Sequence, residues 1–65
     1  MLTVNGTELN FSEQQTLSQL LEAQGYEENR IVVELNAAII PKAEYRRTIL
    51  QDGDAVEVLN FVGGG

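Results

Sequence analysis

Sixty-five residues with ten acidic and four basic side chains, no Cys and no His, exclude several kinds of protein at once. The net charge of −6 makes nucleic acid and anionic membrane repulsive partners, because the phosphate attraction behind such binding has the wrong sign; it suits a partner with a basic face, or simply solubility. Disulfides and thiolate or imidazole sites are impossible, so one small domain, burying only about 60% of its unfolded surface, must hold by packing alone.

The chain opens on a hairpin. Met1 to Asn5 and Thr7 to Phe11 flank Asn5-Gly6, a dipeptide whose two residues both accept the positive φ of a tight hairpin turn. Leu2 and Val4 share one face, and Leu9 and Phe11 continue it on the returning strand. A helix follows, with Leu17, Leu20, Leu21 and Gln24 spaced i, i+3, i+4, i+7. Ser12-x-x-Gln15 and Thr16-x-x-Gln19 both have the form of a capping box. Thr16 is the expected N-cap because the leucine stripe begins directly after it. Gly25 is placed to end the helix in the left-handed conformation.

Ile31-Val32-Val33-Glu34-Leu35 is β-branched and nearly continuous, as a strand inside a sheet should be, with Ile31, Val33 and Leu35 toward the helix. Asn36 opens a turn, and Ala38-Ile39-Ile40 is a short strand stopped by Pro41, which lacks an N–H to donate. Lys42 to Arg47 reads as a charged surface connection with room for one helical turn, anchored by Tyr45. Asp52-Gly53-Asp54 is a turn and Ala55 to Phe61 the last strand. Val56 and Val58 point inward, which puts Leu59 and Phe61 on the opposite face. Two large apolar side chains there make a docking patch; Phe61 also fits as ordinary packing over the sheet edge.

This order of elements, a hairpin, one covering helix and a sheet closed by the last strand, suggests an α+β β-grasp: a mixed sheet with one main helix packed on one face. In that topology the first and last strands pair in parallel at the centre. The expected division is a β-grasp domain over residues 1–61 and a flexible glycine tail over 62–65. No charged-then-apolar leader precedes the first strand, and no apolar run approaches the roughly 20 residues that span a bilayer, so the expected location is cytoplasmic.

Catalytic constellations are missing. Nucleophilic triads need a base of the histidine kind. Glu27-Glu28 reads as solvated charge, and Asp52 and Asp54 flank a turn glycine, where Asp serves the backbone. Too few oxygens converge for a hard metal, and no Gly-rich loop joins a strand to a helix. No metal, no cofactor and no enzymatic activity are expected. The remaining chemistry lies in Phe61-Val62-Gly63-Gly64-Gly65. Three glycines also fit a frayed end or an expression remnant. A run without Cβ atoms can, however, enter a narrow channel and present the Gly65 carboxylate there. An ATP-dependent partner would convert that carboxylate to an acyl-adenylate. Attack by sulfur then yields a thiocarboxylate, and attack by a lysine amine an isopeptide. Ordering the glycines costs on the order of 1–2 kcal/mol per residue, which a docking patch beside the tail, Leu59, Phe61 and Val62, would offset.

Val33-Glu34-Leu35-Asn36, Ile39-Ile40-Pro41-Lys42-x-x-Tyr45, Leu50-x-x-Gly53-Asp54-x-Val56-Glu57 and Phe61-Val62-Gly63-Gly64-Gly65 together resemble the thiamin-biosynthesis sulfur carrier family, ThiS. The resemblance covers most of the chain. It implies a ubiquitin-like β-grasp protein that is not an enzyme. Its C-terminal glycine, Gly65 here, is adenylated by an E1-like enzyme (ThiF) and becomes a thiocarboxylate with sulfur from a cysteine desulfurase. Thiazole synthase (ThiG) then takes the sulfur. Gly63, Gly64 and Gly65 would enter the partner's active site, and the free carrier is expected to be a monomer. Tyr45 stands where the family often has Trp, and Lys42 where Arg is frequent; both keep the chemical type. The molybdopterin synthase small subunit shares fold and diglycine but is usually longer, with prolines before its tail. A small ubiquitin-like modifier would use the same activation, whereas a plain interaction domain would carry an inert tail.

Overall fold

A computed structural model describes residues 1–61. Strands β1 (Leu2–Val4) and β2 (Thr7–Leu9) pair antiparallel around Asn5-Gly6. The φ angles of those two residues, 50° and 83°, are both left-handed, which is the turn that matches strand twist. Helix α1 (Leu17–Ala23) buries Leu17, Leu20 and Leu21. Thr16 Oγ1 accepts from the Gln19 N–H at 3.1 Å and Gln19 Oε1 accepts from the Thr16 N–H at 2.9 Å. The expected capping box is therefore complete, and Gly25 follows at φ 82°.

β3 (Ile31–Leu35) and β4 (Ala38–Ile40) form a second hairpin, and β5 (Ala55–Asn60) completes the sheet. The strand order is β2-β1-β5-β3-β4. β5 lies in the middle, parallel to β1 and antiparallel to β3. This mixed sheet with one helix is the ubiquitin-like β-grasp arrangement. The helix leucines, Leu2, Val4, Ile31, Val33, Leu50, Val56 and Val58 form one core. Tyr45 joins it at 2% exposure, the anchor expected for the charged connection, where Lys42–Glu44 makes a 3₁₀ turn.

Two strands are shorter than the alternation suggests. β2 stops at Leu9 because its partner Leu2 is the first residue of β1; Phe11 still packs against the core from the following loop. β5 stops at Asn60, opposite the first residue of β3. Phe61 instead donates its N–H to the Arg30 carbonyl at 3.0 Å, in a Glu28–Arg30 3₁₀ turn that periodicity does not announce.

Asparagines from both hairpin turns hold the central strand. Asn5 donates its backbone N–H to Val56 O at 2.8 Å, while its side-chain Oδ1 accepts from the Val58 N–H at 2.7 Å. On the other side Asn36 donates its N–H to Ala55 O at 2.8 Å, and its Oδ1 accepts from the Ala55 N–H at 2.9 Å. Each amide side chain extends a ladder beyond the point where its own strand turns away. No helix among the described residues is long and apolar enough to cross a membrane.

Candidate functional site

The face of the sheet away from α1 carries the arrangement with functional meaning. Along β5 the burial alternates: Val56 and Val58 are buried, and Ala55, Glu57 and Leu59 are exposed. Leu59 lies directly opposite Val32 of β3. Their exposures, 57% and 36%, leave an apolar pair in water, and Phe61, two residues beyond Leu59, is 37% exposed. Ile39 on β4, at 67%, extends the apolar area.

Beside this patch runs an acidic row. Glu34 pairs with Glu57 in register, and Ile39 follows on the far side of Glu34. Like charges directly opposite on neighbouring strands destabilise a sheet. The pair therefore concentrates negative charge on this face, which a cationic surface would complement. An apolar patch with an acidic margin is a pattern of the kind that marks protein–protein contacts.

The end of β5 is held by hydrogen bonds on both sides. Asn5 grips Val58 one residue before Leu59, and the Phe61 N–H is held by Arg30. Two of the expected docking residues, Leu59 and Phe61, therefore stand exposed at the end of the central strand. Val62, Gly63, Gly64 and Gly65 lie outside the described residues. Val32, Ile39, Glu34 and Glu57 join the expected docking residues on this face. Val32 was readable, since placing Ile31 and Val33 inward places it outward. The juxtaposition of Glu34 with Glu57 needed the β3–β5 register.

No cluster of three or more His, Cys, Asp or Glu able to hold a metal occurs among the described residues. Asp54, 8% exposed, is occupied structurally: it accepts from Asn36 Nδ2 at 3.0 Å and from the Gln51 N–H at 2.7 Å. The Tyr45 phenol holds its proton more tightly than a free one. Burial pushes its phenol above the ordinary value, the Glu28 carboxylate adds to the rise, and a Val33 backbone bond opposes it in part. These are the marks of a core anchor rather than an acid–base catalyst.

Comparison with known proteins agrees with this geometry. The ThiS family profile matches residues 2–65. The sulfur carrier protein ThiS of Bacillus subtilis is 36% identical over 66 residues, covering 100% of both chains. A thiazole synthase of Paramagnetospirillum magneticum is 41% identical over 64 residues, 98% of this chain but only 20% of the synthase; against the thiazole synthase of Magnetococcus marinus the share is 19%. The chain thus spans about a fifth of the length of these synthases. The crystal structure of the thiamine biosynthesis protein ThiS from Geobacter metallireducens superposes with a TM-score of 0.79 at 37% identity, covering 98% of this chain and 97% of that one. With its fold, its motifs and nearly its whole length accounted for by these matches, the chain belongs to the ThiS family.

Proposed function

We propose that the protein is a sulfur carrier of thiamin biosynthesis, with residues 1–61 as its β-grasp body and residues 62–65 as the tail that carries the chemistry. The observation that bears most weight is the position of β5. The central strand presents Leu59 to solvent, Phe61 follows just past its end, and the sequence continues directly as Val62-Gly63-Gly64-Gly65. A body that docks through this face hands the tail to its partner in a defined direction.

The chemistry begins at the Gly65 carboxylate. One of its oxygens attacks the α-phosphorus of ATP in a ThiF-type enzyme and pyrophosphate leaves. The terminal sulfur of a persulfide, formed from cysteine by a desulfurase, then adds to the acyl carbon and AMP leaves; a thiol attacks the donor sulfur of the resulting acyl disulfide, forming a disulfide with it and releasing the thiocarboxylate. The thiocarboxylate is the sulfur source for a thiazole synthase of the ThiG type. Relatives in which a sequence like this one makes up about a fifth of a thiazole synthase support that pairing. The chain itself supplies no catalytic side chain. ATP and magnesium belong to the enzyme, and the setting of the whole sequence is the cytoplasm.

The intact mass of the chain after incubation with ATP, magnesium, adenylating enzyme and sulfur source tests the reading. The expected gain corresponds to one oxygen replaced by sulfur, and it disappears when a residue is added after Gly65. An unchanged mass, with the enzyme shown active on a known carrier, leaves an interaction domain with an inert tail.

A further inference from the structure

The four cations of the chain, Arg30, Lys42, Arg46 and Arg47, all fall within one stretch, whereas acids run from Glu8 to Glu57. The fold gathers that stretch beside the end of β5. β3 is antiparallel to both β4 and β5, so its start stands at the same end of the sheet as their ends. Lys42, just past β4, and Phe61, just past β5, therefore flank the Glu28–Arg30 turn. Asn29 Oδ1 accepts from Lys42 Nζ on one side of it, and the Arg30 carbonyl accepts from the Phe61 N–H on the other. Two strand spacings, about 10 Å, separate the two positions.

A cavity of about 420 Å³ opens at this corner, lined by Glu28, Lys42, Ala43 and Arg46. Arg30 pairs with Glu27 at 3.5 Å and Arg47 with Glu44 at 4.0 Å. Among the described residues Lys42 and Arg46 have no carboxylate at ion-pair distance. Glu28, the one acid of the lining, accepts from Ser18 Oγ at 2.5 Å. Among the described residues the two cations of the cavity thus have no paired anion, on a chain of net charge −6.

We propose that this cavity receives a carboxylate side chain of the enzyme that takes the tail, which rests on the carrier reading above. The footprint then has two signs. The Glu34–Glu57 row meets cations of the enzyme, and the Lys42–Arg46 corner meets an acid next to the mouth of its tail channel. A carrier rotated about the tail would set acid against acid, and such like-charge contacts suppress wrong orientations. The pattern fixes the rotation at which the glycines enter.

The sign of one effect tests this. Lys42→Gln/Arg46→Gln takes the net charge from −6 to −8 (two positive charges removed). If only overall attraction to a basic enzyme mattered, the variant would bind more tightly. With the cavity as a contact it binds about 10-fold more weakly and loses part of its salt dependence. Calorimetric titration into the adenylating enzyme at low and at physiological salt measures both. Arg47→Gln, a charge change outside the cavity, serves as the control, and thermal melts verify that each variant is folded. Weakening confined to the double variant supports the proposal. Equal or tighter binding of the double variant overturns it, as does equal weakening by Arg47→Gln, while the carrier reading stands as long as the wild type binds. Failure of the wild-type chain to bind removes both.

Discussion

Leu59→Ala separates binding from folding on the outer face. Leu59 is 57% exposed in the free chain, so truncating it opens no core cavity. Fully burying a leucine is worth about 1.5–3 kcal/mol. Covering the remaining 57% on docking therefore contributes roughly 1–1.7 kcal/mol, most of which alanine forfeits. The expected loss of affinity for the adenylating enzyme is about 4–15-fold. Loss of the cross-strand contact with Val32 should cost the free fold only about 0.2–1 kcal/mol. Calorimetric titration gives the first quantity and the urea midpoint the second. Phe61→Ala provides an internal comparison: at 37% exposure it has less surface left to bury, so more of its effect should appear in stability. Unchanged affinity for Leu59→Ala, with the fold intact, would refute the outer face as the docking surface.

Asp54→Ala strands the Asn36 amide and the Gln51 N–H; a stability loss of about 2–4 kcal/mol is expected in urea, and a loss under about 1 kcal/mol would show that water replaces the carboxylate. Ala37 stands at φ 71°, where a Cβ costs about 1–2 kcal/mol, so Ala37→Gly should raise the urea midpoint; a lowered midpoint would show the turn to be unstrained. Tyr45 has a folded pKa above its unfolded one, so the folded state holds the phenol proton more tightly. The stability this supplies is whole below about pH 10 and is lost as pH rises through the folded value. Urea midpoints should fall in that alkaline range for the wild type and less steeply for Tyr45→Phe; parallel profiles would dismiss the phenol as the cause.

Local chemistry carried much of this protein into its sequence. Asn5-Gly6 announced a turn because few residue pairs tolerate two positive φ values. The leucine stripe after Thr16 announced the capped helix, and alternation along Ala55 to Phe61 sorted Val56 and Val58 from Leu59 and Phe61. Each signal rests on neighbours within a few residues, which is why the period and the cap geometry suffice. The acidic Glu34–Glu57 row, the grip of Asn5 on Val58, the burial of Asp54 and the meeting of Lys42 with Asn29 at the tail corner join residues 13 to 53 positions apart. Such pairings follow from which strands lie side by side and in what register. That choice is made by the whole core when it closes over the sheet, so only the tertiary structure decided them.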